Sequence, residues 1–491
     1  MVQPTDREGV APAEVAETHT SWVFLAGDRA LKLLKPLRTP FLDYSTPELR
    51  HAACEAEVAL NRRLAPDVYL GVSPLLEHGE PADWMVVMRR LPADRRLSTL
   101  AGTPGFDDHV REVARAVAVF HSGLEPVRDE PGTTAAGLLE GWEREVRECR
   151  TGPSGPFLDP GSLDEVLDRA RDTLAGRAGL LAARAEAGLV VDGHGDLLAD
   201  DIFCLPDGPR ILDCLAFRRE LRVGDVLADL AFLVMDLERL PGGTEAARVL
   251  VDAYVEFTGH HHPPSLLHLF VAQRALVRAK VRGLRAAQGD DPAAATDAES
   301  FLDRAVRHAR AATVRLVLVG GPPGSGKSTV ARALGDALDA AVLGTDELRD
   351  AVVPPGDPER YSRTATAGVY RELRRRAGDL LAAGTSVVLD ATWTDATERA
   401  AARSLAARHH TTLEELRCVL DPAVAARRVA TRQASPRPGP SEATPEVARR
   451  LAAAAEPWPE ATTLDTTDPA AEVATTALAV LAEVPLAYAG R

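Results

Sequence analysis

The sequence of 491 residues is poor in cysteine and in aromatic side chains, and it has no long apolar run. Its five cysteines stand singly, without a C-x-x-C pair, which favours a reduced protein over a disulfide framework. No stretch of about 18 apolar residues occurs, so the sequence predicts no membrane-spanning helix. The first 15 residues have no apolar signal-peptide core, and we therefore expect a cytoplasmic protein.

An excess of positive charge is also missing. The chain has 57 basic and 72 acidic residues, which gives a formal net charge of −15. Residues 312–491 are almost neutral, with 21 basic and 23 acidic side chains, so most of the negative charge belongs to residues 1–311. Neither part has the basic surface that long nucleic acid requires, and we expect neither extended nucleic acid nor a membrane as a partner.

A phosphate-binding motif is the most specific feature that is present. Residues 321–328 read G-P-P-G-S-G-K-S, which is the full G-x-x-x-x-G-K-[ST] pattern, between an apolar run and the start of a helical segment. In this setting backbone N–H groups surround phosphate, Lys327 reaches the β- and γ-phosphates and Ser328 offers a hydroxyl to Mg²⁺. The motif predicts binding of ATP or GTP with Mg²⁺. The residues expected to hold the nucleotide are Gly321, Gly324, Ser325, Gly326, Lys327, Ser328 and Thr329.

The hydrophobic pattern predicts strands first, then mixed structure, then helices, before the P-loop. A length of 491 residues also indicates at least two domains, and we place their boundary near residue 312. The predicted elements are a hairpin over 20–35, a helix over 47–65, a strand over 84–90, a helix over 108–121, helices over 161–188, a hairpin over 202–213, helices over 226–285, a polar break over 288–300 and a helix over 301–312.

A second motif lies in the N-terminal part. Residues 194–203 read H-G-D-L-L-A-D-D-I-F, and residues 211–213 read I-L-D. The two segments resemble the catalytic and metal-binding segments of aminoglycoside phosphotransferase-like kinases. The resemblance implies that Asp196 is the catalytic base and Asp213 a Mg²⁺ ligand, while Asp201 stands at the position of that family's metal-binding asparagine. A carboxylate is also a ligand that Mg²⁺ accepts. An acidic surface loop is the alternative interpretation.

Residues further upstream fit the same resemblance. Lys32, on the second strand of the first hairpin, stands where such kinases carry the lysine that binds phosphate, and Lys35 is its rival. Glu57 stands where the glutamate that pairs with this lysine lies, and Glu55 is the alternative. Asp229 resembles an aspartate that braces the catalytic loop. Solvated surface charges are the alternative interpretation of the lysine and the glutamate.

The C-terminal part carries a third set of residues. Asp346 and Arg349 follow a predicted strand with D-x-x-R spacing, which resembles small P-loop kinases of the polynucleotide-kinase, gluconate-kinase and zeta-toxin group. The resemblance implies that Asp346 accepts the proton of the acceptor hydroxyl and that Arg349 holds the acceptor. Asp390 ends an apolar strand at a Walker-B-like position and is expected to steady Mg²⁺ through water. A helix cap is the alternative.

A basic helix is followed by a stretch rich in proline and glycine. Arg427, Arg428 and Arg432 lie on this predicted helix, and residues 434–440 read A-S-P-R-P-G-P. In small kinases a lid of this kind closes arginines onto the transferring phosphate and excludes water. We select Arg432 as the catalytic arginine and keep the other two as alternatives, together with a purely surface helix.

Both motif sets, in this order, resemble a bacterial tandem family of the aminoglycoside phosphotransferase/ATP-binding protein type. The resemblance implies an α+β protein-kinase-like domain (residues 1–311) and an α/β P-loop NTPase domain with a parallel sheet (residues 312–491), packed on each other. We expect an ATP-dependent phosphotransferase with two nucleotide sites, acting on hydroxyls of sugar-, aminoglycoside- or nucleoside-like small molecules. Two alternatives stay open: a degenerate N-terminal kinase that senses a ligand, and a C-terminal kinase of nucleic-acid ends.

Overall fold

The chain forms two compact units. The first contains residues up to 133 together with 184–261, and the second contains 134–183 and the residues from 262 onward, so the chain passes between the units three times. The boundary predicted near residue 312 falls inside the second unit and stays a prediction. The structure is a computed structural model that describes residues 14–18, 20–39, 42–289, 291–354, 357, 359–433 and 444–481.

The described residues contain sixteen strands and seventeen α-helices, and none of these helices is long and apolar enough to cross a membrane. The strands are β1 (Glu14–Glu17), β2 (Ser21–Ala26), β3 (Arg29–Leu34), β4 (Arg38–Thr39), β5 (Leu42–Asp43), β6 (Tyr69–Glu77), β7 (Glu80–Arg89), β8 (Val190–Asp192), β9 (Ile202–Leu205), β10 (Gly208–Ile211), β11 (Val223–Asp225), β12 (Arg315–Gly320), β13 (Ala341–Gly344), β14 (Val387–Asp390), β15 (Thr412–Val419) and β16 (Thr462–Asp465). The helices are α1 (Pro47–Asn61), α2 (Leu97–Leu100), α3 (Phe106–Ser122), α4 (Ala135–Thr151), α5 (Pro160–Gly176), α6 (Ala178–Glu186), α7 (Val226–Leu237), α8 (Gly243–Thr258), α9 (Pro264–Gln288), α10 (Ala294–Ala311), α11 (Lys327–Leu338), α12 (Thr345–Val352), α13 (Arg363–Ala382), α14 (Ala396–Arg408), α15 (Pro422–Gln433), α16 (Pro445–Ala453) and α17 (Ala470–Val480).

The first unit is built on a five-stranded antiparallel sheet with the order β1-β2-β3-β7-β6. The predicted first hairpin is confirmed, because β2 and β3 pair from Ser21 opposite Leu34 to Ala26 opposite Arg29. Helix α1 packs on β6 and β7 and covers one face of this sheet.

Helix α1 is fixed at its start and along its buried face. The Thr46 hydroxyl accepts the Leu49 N–H at 3.3 Å, and Pro47 occupies the first turn, where its missing N–H costs nothing. Its buried residues recur every three or four positions, which is the period of one helix face. These residues are Arg50, Cys54, Glu57, Val58 and Asn61.

Two small two-stranded sheets and three helices complete the site-bearing part of the first unit. Strands β9 and β10 pair antiparallel, and so do β8 and β11. Helix α7 follows β11 directly, is buried along its whole length and is capped by Asp225, whose carboxylate accepts the Leu227 N–H at 2.9 Å. Helices α3 and α8 pack on each other. This is a protein-kinase-like fold, which confirms the fold class predicted for this part of the chain.

The second unit is built on a five-stranded parallel sheet with the order β13-β14-β12-β15-β16. Side chains of β12 alternate between two apolar clusters: Leu316 and Leu318 belong to one, Val317 and Val319 to the other. Both faces are therefore covered, as a parallel sheet requires. The phosphate-binding loop connects β12 to α11, so the predicted α/β P-loop class is confirmed.

Helices α4, α5, α9 and α10 also belong to the second unit, and α10 packs along α9 and α5. The polar break predicted over 288–300 is wrong in its second half, because α10 already begins at Ala294. The Asp291 carboxylate accepts the Ala293 N–H at 3.0 Å at this start, and Ala294 and Ala298 are fully buried. Burial of alanines therefore outweighs the polar composition.

One buried arginine joins helix α5 to the P-loop part of the second unit. Arg177 is 1% exposed, and its Nη1 donates to the carbonyls of Leu381 (2.8 Å), His409 (3.1 Å) and Gly176 (3.1 Å). These carbonyls lie at or beside the ends of α13, α14 and α5, where helix carbonyls carry partial negative charge. Burial lowers the pKa of Arg177 to about 10. The guanidinium thus holds three helix ends together at the amino ends of β14 and β15.

Replacement of Arg177 by alanine is expected to loosen this junction. The variant removes the hydrogen bonds that a charged donor makes to these carbonyls, which costs about 1.5 to 3 kcal/mol. We expect the local free energy of opening around residues 381–385 and 408–411 to fall by that amount, measured by native-state hydrogen exchange. Arg371→Ala, an exposed change on α13, is the matched control. Equal protection in the two variants contradicts the junction.

Candidate functional sites

The loop that connects β12 to α11 has the backbone conformation of a phosphate cradle. Gly321, Gly324 and Gly326 have φ angles of +144°, +85° and +84°, in a region that favours glycine. A Cβ on Gly321 would lie 2.7 Å from the carbonyl oxygen of Cys418. The loop therefore needs glycine for both conformation and space. Helix α11 begins at Lys327, so its N-terminus adds dipole charge at the same place.

Charged side chains gather beside this loop. Burial raises the pKa of Asp390, and the negative charge of Asp346 raises it further. The positive charge of Lys327 and a hydrogen bond with Ser328 lower the pKa and partly offset this rise. These four residues, predicted from distant segments, therefore lie close enough to influence one another. Asp390 Oδ1 is buried and has no hydrogen-bond partner in the described part of the chain. A buried carboxylate oxygen of this kind suits a metal-bound water.

The remaining residues predicted for the loop take different places. Ser325 is buried, and its Oγ has no hydrogen-bond partner among the described residues. Thr329 is exposed on the first turn of α11, where its N–H donates to the Gly326 carbonyl at 3.0 Å. The backbone of Thr329 closes the loop, and the contact of its exposed side chain with the nucleotide stays a prediction.

Asp346 and Arg349 lie one turn apart on α12. Asp346 is half-buried, whereas Arg349 is 8% exposed. Arg349 Nη1 donates to the Arg360 carbonyl at 3.1 Å, and its guanidinium carbon lies 4.8 Å from the ring centre of Tyr361. No carboxylate of the described residues forms an ion pair with Arg349. Its charge is thus held in place by a carbonyl and a ring, without being neutralised.

Two residues that the sequence analysis did not select lie beside the loop. Arg428 on α15 donates from Nη2 to the Thr466 carbonyl at 3.0 Å, and its Nη1 lies 3.8 Å from the position of a Cβ on Gly326. Thr466 was not predicted at all. The side chain of Arg432 and the proposed lid over 434–440 lie outside the described residues. Among the arginine side chains of α15 that the structure describes, Arg428 therefore lies beside the loop, and the role of Arg432 stays a prediction.

In the first unit, Lys32 joins two of the predicted acidic residues. Lys32 Nζ lies 2.8 Å from Glu57 Oε1 and 3.0 Å from Asp213 Oδ1. Burial alone would lower the pKa of Lys32, but Asp213 and Glu57 raise it well above its usual value. The rival lysine, Lys35, instead pairs with Glu17 and donates to the Thr18 carbonyl at 2.7 Å. The rival glutamate, Glu55, faces His51 at 3.6 Å.

Asp196, Asp201 and Asp213 form an acidic group beside that ion pair. Burial raises the pKa of Asp201 well above its usual value, and the charges of Asp213 and Asp196 raise it further. Lys32 lowers the pKa of Asp213 instead. Asp213 has an unusual φ of +61°, and the neighbouring Leu212 N–H donates to the Asp201 carbonyl at 2.9 Å. The backbone therefore holds the two predicted metal ligands together.

Asp229 anchors the loop that carries Asp196. Its carboxylate accepts the N–H of His194 at 2.6 Å and of Gly195 at 2.8 Å. Burial raises the pKa of Asp229, but His121 and the other donors lower it far below its usual value in sum. His121 lies 3.3 Å away, and its other ring nitrogen faces the Tyr254 hydroxyl at 2.8 Å. His121 and Tyr254 were not predicted, because single buried polar residues leave no sequence pattern.

The fit of both sites to Mg²⁺ depends on what the nucleotide supplies. Within the described residues, no three His, Cys, Asp or Glu side chains are arranged to hold a metal ion by themselves. Mg²⁺ keeps several waters and commonly uses one or two carboxylates together with substrate phosphates. Asp201 with Asp213, and Asp390 with Ser328, fit this mode of binding.

Comparison with known proteins gives one family profile and several solved structures. The profile of the AAA domain family matches residues 316–458. A choline/ethanolamine kinase family protein from Mesorhizobium loti is 18% identical, with 61% of this chain and 92% of that chain covered and a TM-score of 0.37. A gluconokinase from Sinorhizobium meliloti is 22% identical, with 35% and 91% covered and a TM-score of 0.27.

The protein-kinase-like fold of the first unit and the P-loop of the second define a nucleotide-binding protein of the kinase class. At the level of the whole chain, uncharacterized proteins of Mycobacterium tuberculosis and Mycobacterium bovis are 41% identical over 473 residues, with 93% of this chain and 93% of each relative covered. The chain belongs to the family of these mycobacterial proteins.

Proposed function

We propose that the protein is an ATP-dependent phosphotransferase with two nucleotide sites, which moves the γ-phosphate to hydroxyl groups of small molecules. One observation carries the proposal: a half-buried carboxylate, Asp346, lies beside the P-loop group of Lys327, Ser328 and Asp390. A base next to a phosphate cradle is the arrangement that phosphoryl transfer needs and that simple nucleotide binding does not.

At the P-loop, each residue has a separate task. Backbone N–H groups and Lys327 hold the phosphates and offset the charge that develops on them. Asp346 accepts the proton of the acceptor hydroxyl. The hydroxyl oxygen of the acceptor then bonds to the γ-phosphorus, and ADP leaves. Asp390 and Ser328 would hold Mg²⁺, which would supply positive charge to stabilise the phosphate oxygens. Arg349, which forms no ion pair with a carboxylate of the described residues, is proposed to bind a polar or anionic group of the acceptor.

The first unit supports a second site of the same kind. Glu57 holds Lys32 in place for the nucleotide phosphates, and Asp196 is the proposed base. Asp201 replaces an asparagine of the resembling family, and its carboxylate offers Mg²⁺ an oxygen ligand as the amide would. This keeps both metal positions of the first unit in place, which favours an active site over a degenerate one. The sensor role remains the competing outcome in the experiments on this unit.

Charge and cysteine chemistry support the remaining parts of the proposal. Residues 312–491 are nearly neutral, which favours a small-molecule acceptor over extended nucleic acid at the P-loop site. All five cysteines are free and buried, which agrees with a reducing compartment, and we place the reaction in the cytoplasm.

The proposal predicts that Asp346→Asn removes transfer but not binding. The full chain is incubated with a metabolite extract and MgATP, and products are detected by mass spectrometry as metabolites that gain one phosphate. Products that disappear in Lys327→Ala belong to the P-loop site. We expect Asp346→Asn to slow their formation at least about 100-fold, because a general base contributes that much. The affinity for MgADP should change less than about three-fold, because a base acts on the acceptor.

Asp336→Asn, an exposed carboxylate on α11, is the matched control and should behave like the unchanged chain. If Asp346→Asn weakens MgADP binding and leaves the rate per bound nucleotide unchanged, Asp346 is not the base. If no metabolite gains phosphate in the presence of a folded chain, the phosphotransferase proposal fails for both sites.

A further inference from the structure

Thr466 makes a contact with the P-loop that no motif announces. It follows β16, is 3% exposed, and its Oγ1 lies 2.6 Å from the carbonyl oxygen of Ser325, which is 141 residues earlier in the chain. Its side chain also packs against the loop, since Thr466 Cβ lies 3.5 Å from the position that a Cβ on Gly326 would occupy. The contact is therefore buried, short and directed at the phosphate-binding backbone.

The hydroxyl of Thr466 has two carbonyls within reach but only one proton to donate. The Val419 carbonyl lies 3.0 Å from Oγ1, and it already accepts the Thr466 N–H at 3.0 Å. The Ser325 carbonyl is closer to the hydroxyl, at 2.6 Å. The proton is therefore assigned to Ser325. Arg428 holds the Thr466 carbonyl from the other side, at 3.0 Å, so the backbone that carries this hydroxyl is itself fixed.

The orientation of one peptide group follows from this bond. In a planar trans peptide the C=O and the N–H point in opposite directions. Anchoring the Ser325 carbonyl therefore fixes the direction of the Gly326 N–H. That N–H has no hydrogen-bond acceptor in the described part of the chain. The Gly326 N–H belongs to the loop whose backbone N–H groups surround phosphate.

We infer that Thr466 is a positioning residue, which holds the peptide between Ser325 and Gly326 with its N–H directed at bound nucleotide phosphate. The inference rests on the proposed function of the P-loop. Thr466 acts only through the loop and touches no substrate. It ties the last strand of the sheet to the first phosphate-binding turn, so the cradle is formed before the nucleotide arrives.

The test compares removal of the hydroxyl with its retention in the full chain. MgADP is the probe, and the binding that Lys327→Ala removes is assigned to the P-loop. We expect Thr466→Val to weaken this binding about ten-fold, the effect of one hydrogen bond to a charged group. Thr466→Ser keeps the hydroxyl and should stay within about two-fold of the unchanged chain. Thr475→Val, an exposed threonine on α17, is the control and should change nothing.

The rescue by serine separates positioning from a general structural role. Thermal unfolding without nucleotide is measured for every variant, and Thr466→Ala replaces Thr466→Val if the latter does not fold. Unchanged MgADP affinity in Thr466→Val, or an equal loss in Thr466→Ser, overturns the inference. If Lys327→Ala removes binding and Thr466→Val does not, the inference fails while the proposed function stands. If the unchanged chain binds no MgADP at the P-loop, both fail.

Discussion

Replacement of Lys327 by alanine is expected to remove nucleotide binding and turnover at the P-loop. Lys327 is the first residue of α11, 9% exposed, and its charge already acts on Asp390. No other lysine lies in the phosphate loop, and the guanidinium of Arg428 beside it is already bonded to the Thr466 carbonyl. We expect the turnover of ATP that this site supports to fall about 1,000-fold, because removal of one preorganised donor from a transition state has that effect.

The measurement is MgATP turnover and MgADP calorimetry on the full chain, in the unchanged form and in Lys327→Ala. The chain has only four lysines, and Lys35→Ala is the matched control because its ammonium pairs with Glu17 and not with the acidic residues of the first unit's site. Turnover and affinity should be unchanged in the control. Equal nucleotide affinity in Lys327→Ala and in the unchanged chain contradicts a P-loop nucleotide site.

Replacement of Asp213 by alanine is expected to abolish Mg²⁺-dependent ATP binding in the first unit. Asp213 is the partner of Lys32 and stands in the acidic group with Asp201, so its carboxylate both holds the lysine and offers an oxygen to the metal. In a Lys327→Ala background only the first unit binds nucleotide. Mg²⁺ should tighten ATP binding there, and Asp213→Ala should remove this gain and slow transfer about 1,000-fold.

Two further variants complete that experiment. Asp196→Ala should leave ATP binding in place and remove transfer, since a base is needed only for the hydroxyl proton. Asp207→Ala, an exposed aspartate between β9 and β10, is the matched control. A ligand that binds without phosphate transfer, unaffected by Asp196→Ala, supports the sensor alternative instead. A folded first unit without Mg²⁺-dependent ATP binding contradicts the two-site proposal.

The phosphate loop and the fold classes were predictable because their signals are local. The eight residues of 321–328 are contiguous and follow an apolar strand, so spacing alone places them. The first hairpin needs only two apolar runs with a turn between them. Lys32 on β3 and Glu57 on α1 lie 25 residues apart, and a family resemblance sufficed to select them over Lys35 and Glu55.

Other contacts were not predictable, because each depends on one pair of atoms far apart in sequence. Thr466 reaches Ser325 across 141 residues, and Arg177 reaches Leu381 across 204. A lone threonine or arginine has no period and no spacing that marks such a contact. The start of α10 at Ala294 was predicted wrongly for another reason. Packing against α9 outweighs the polar composition of that segment.

The three crossings of the chain between the units have a consequence for recombination. The two motif sets follow each other along the gene. A recombination event near codon 312 therefore places each motif set on a different fragment. The folded protein is interleaved instead: residues 134–183, which include Arg177, are encoded far upstream of the ends of α13 and α14 that Arg177 binds. A transplanted C-terminal fragment arrives without that clamp, whereas a graft of both segments keeps it. Although the two motif sets are consecutive in the sequence, residues 134–183 fold with the P-loop part as one unit. A recombinant protein therefore needs both segments together.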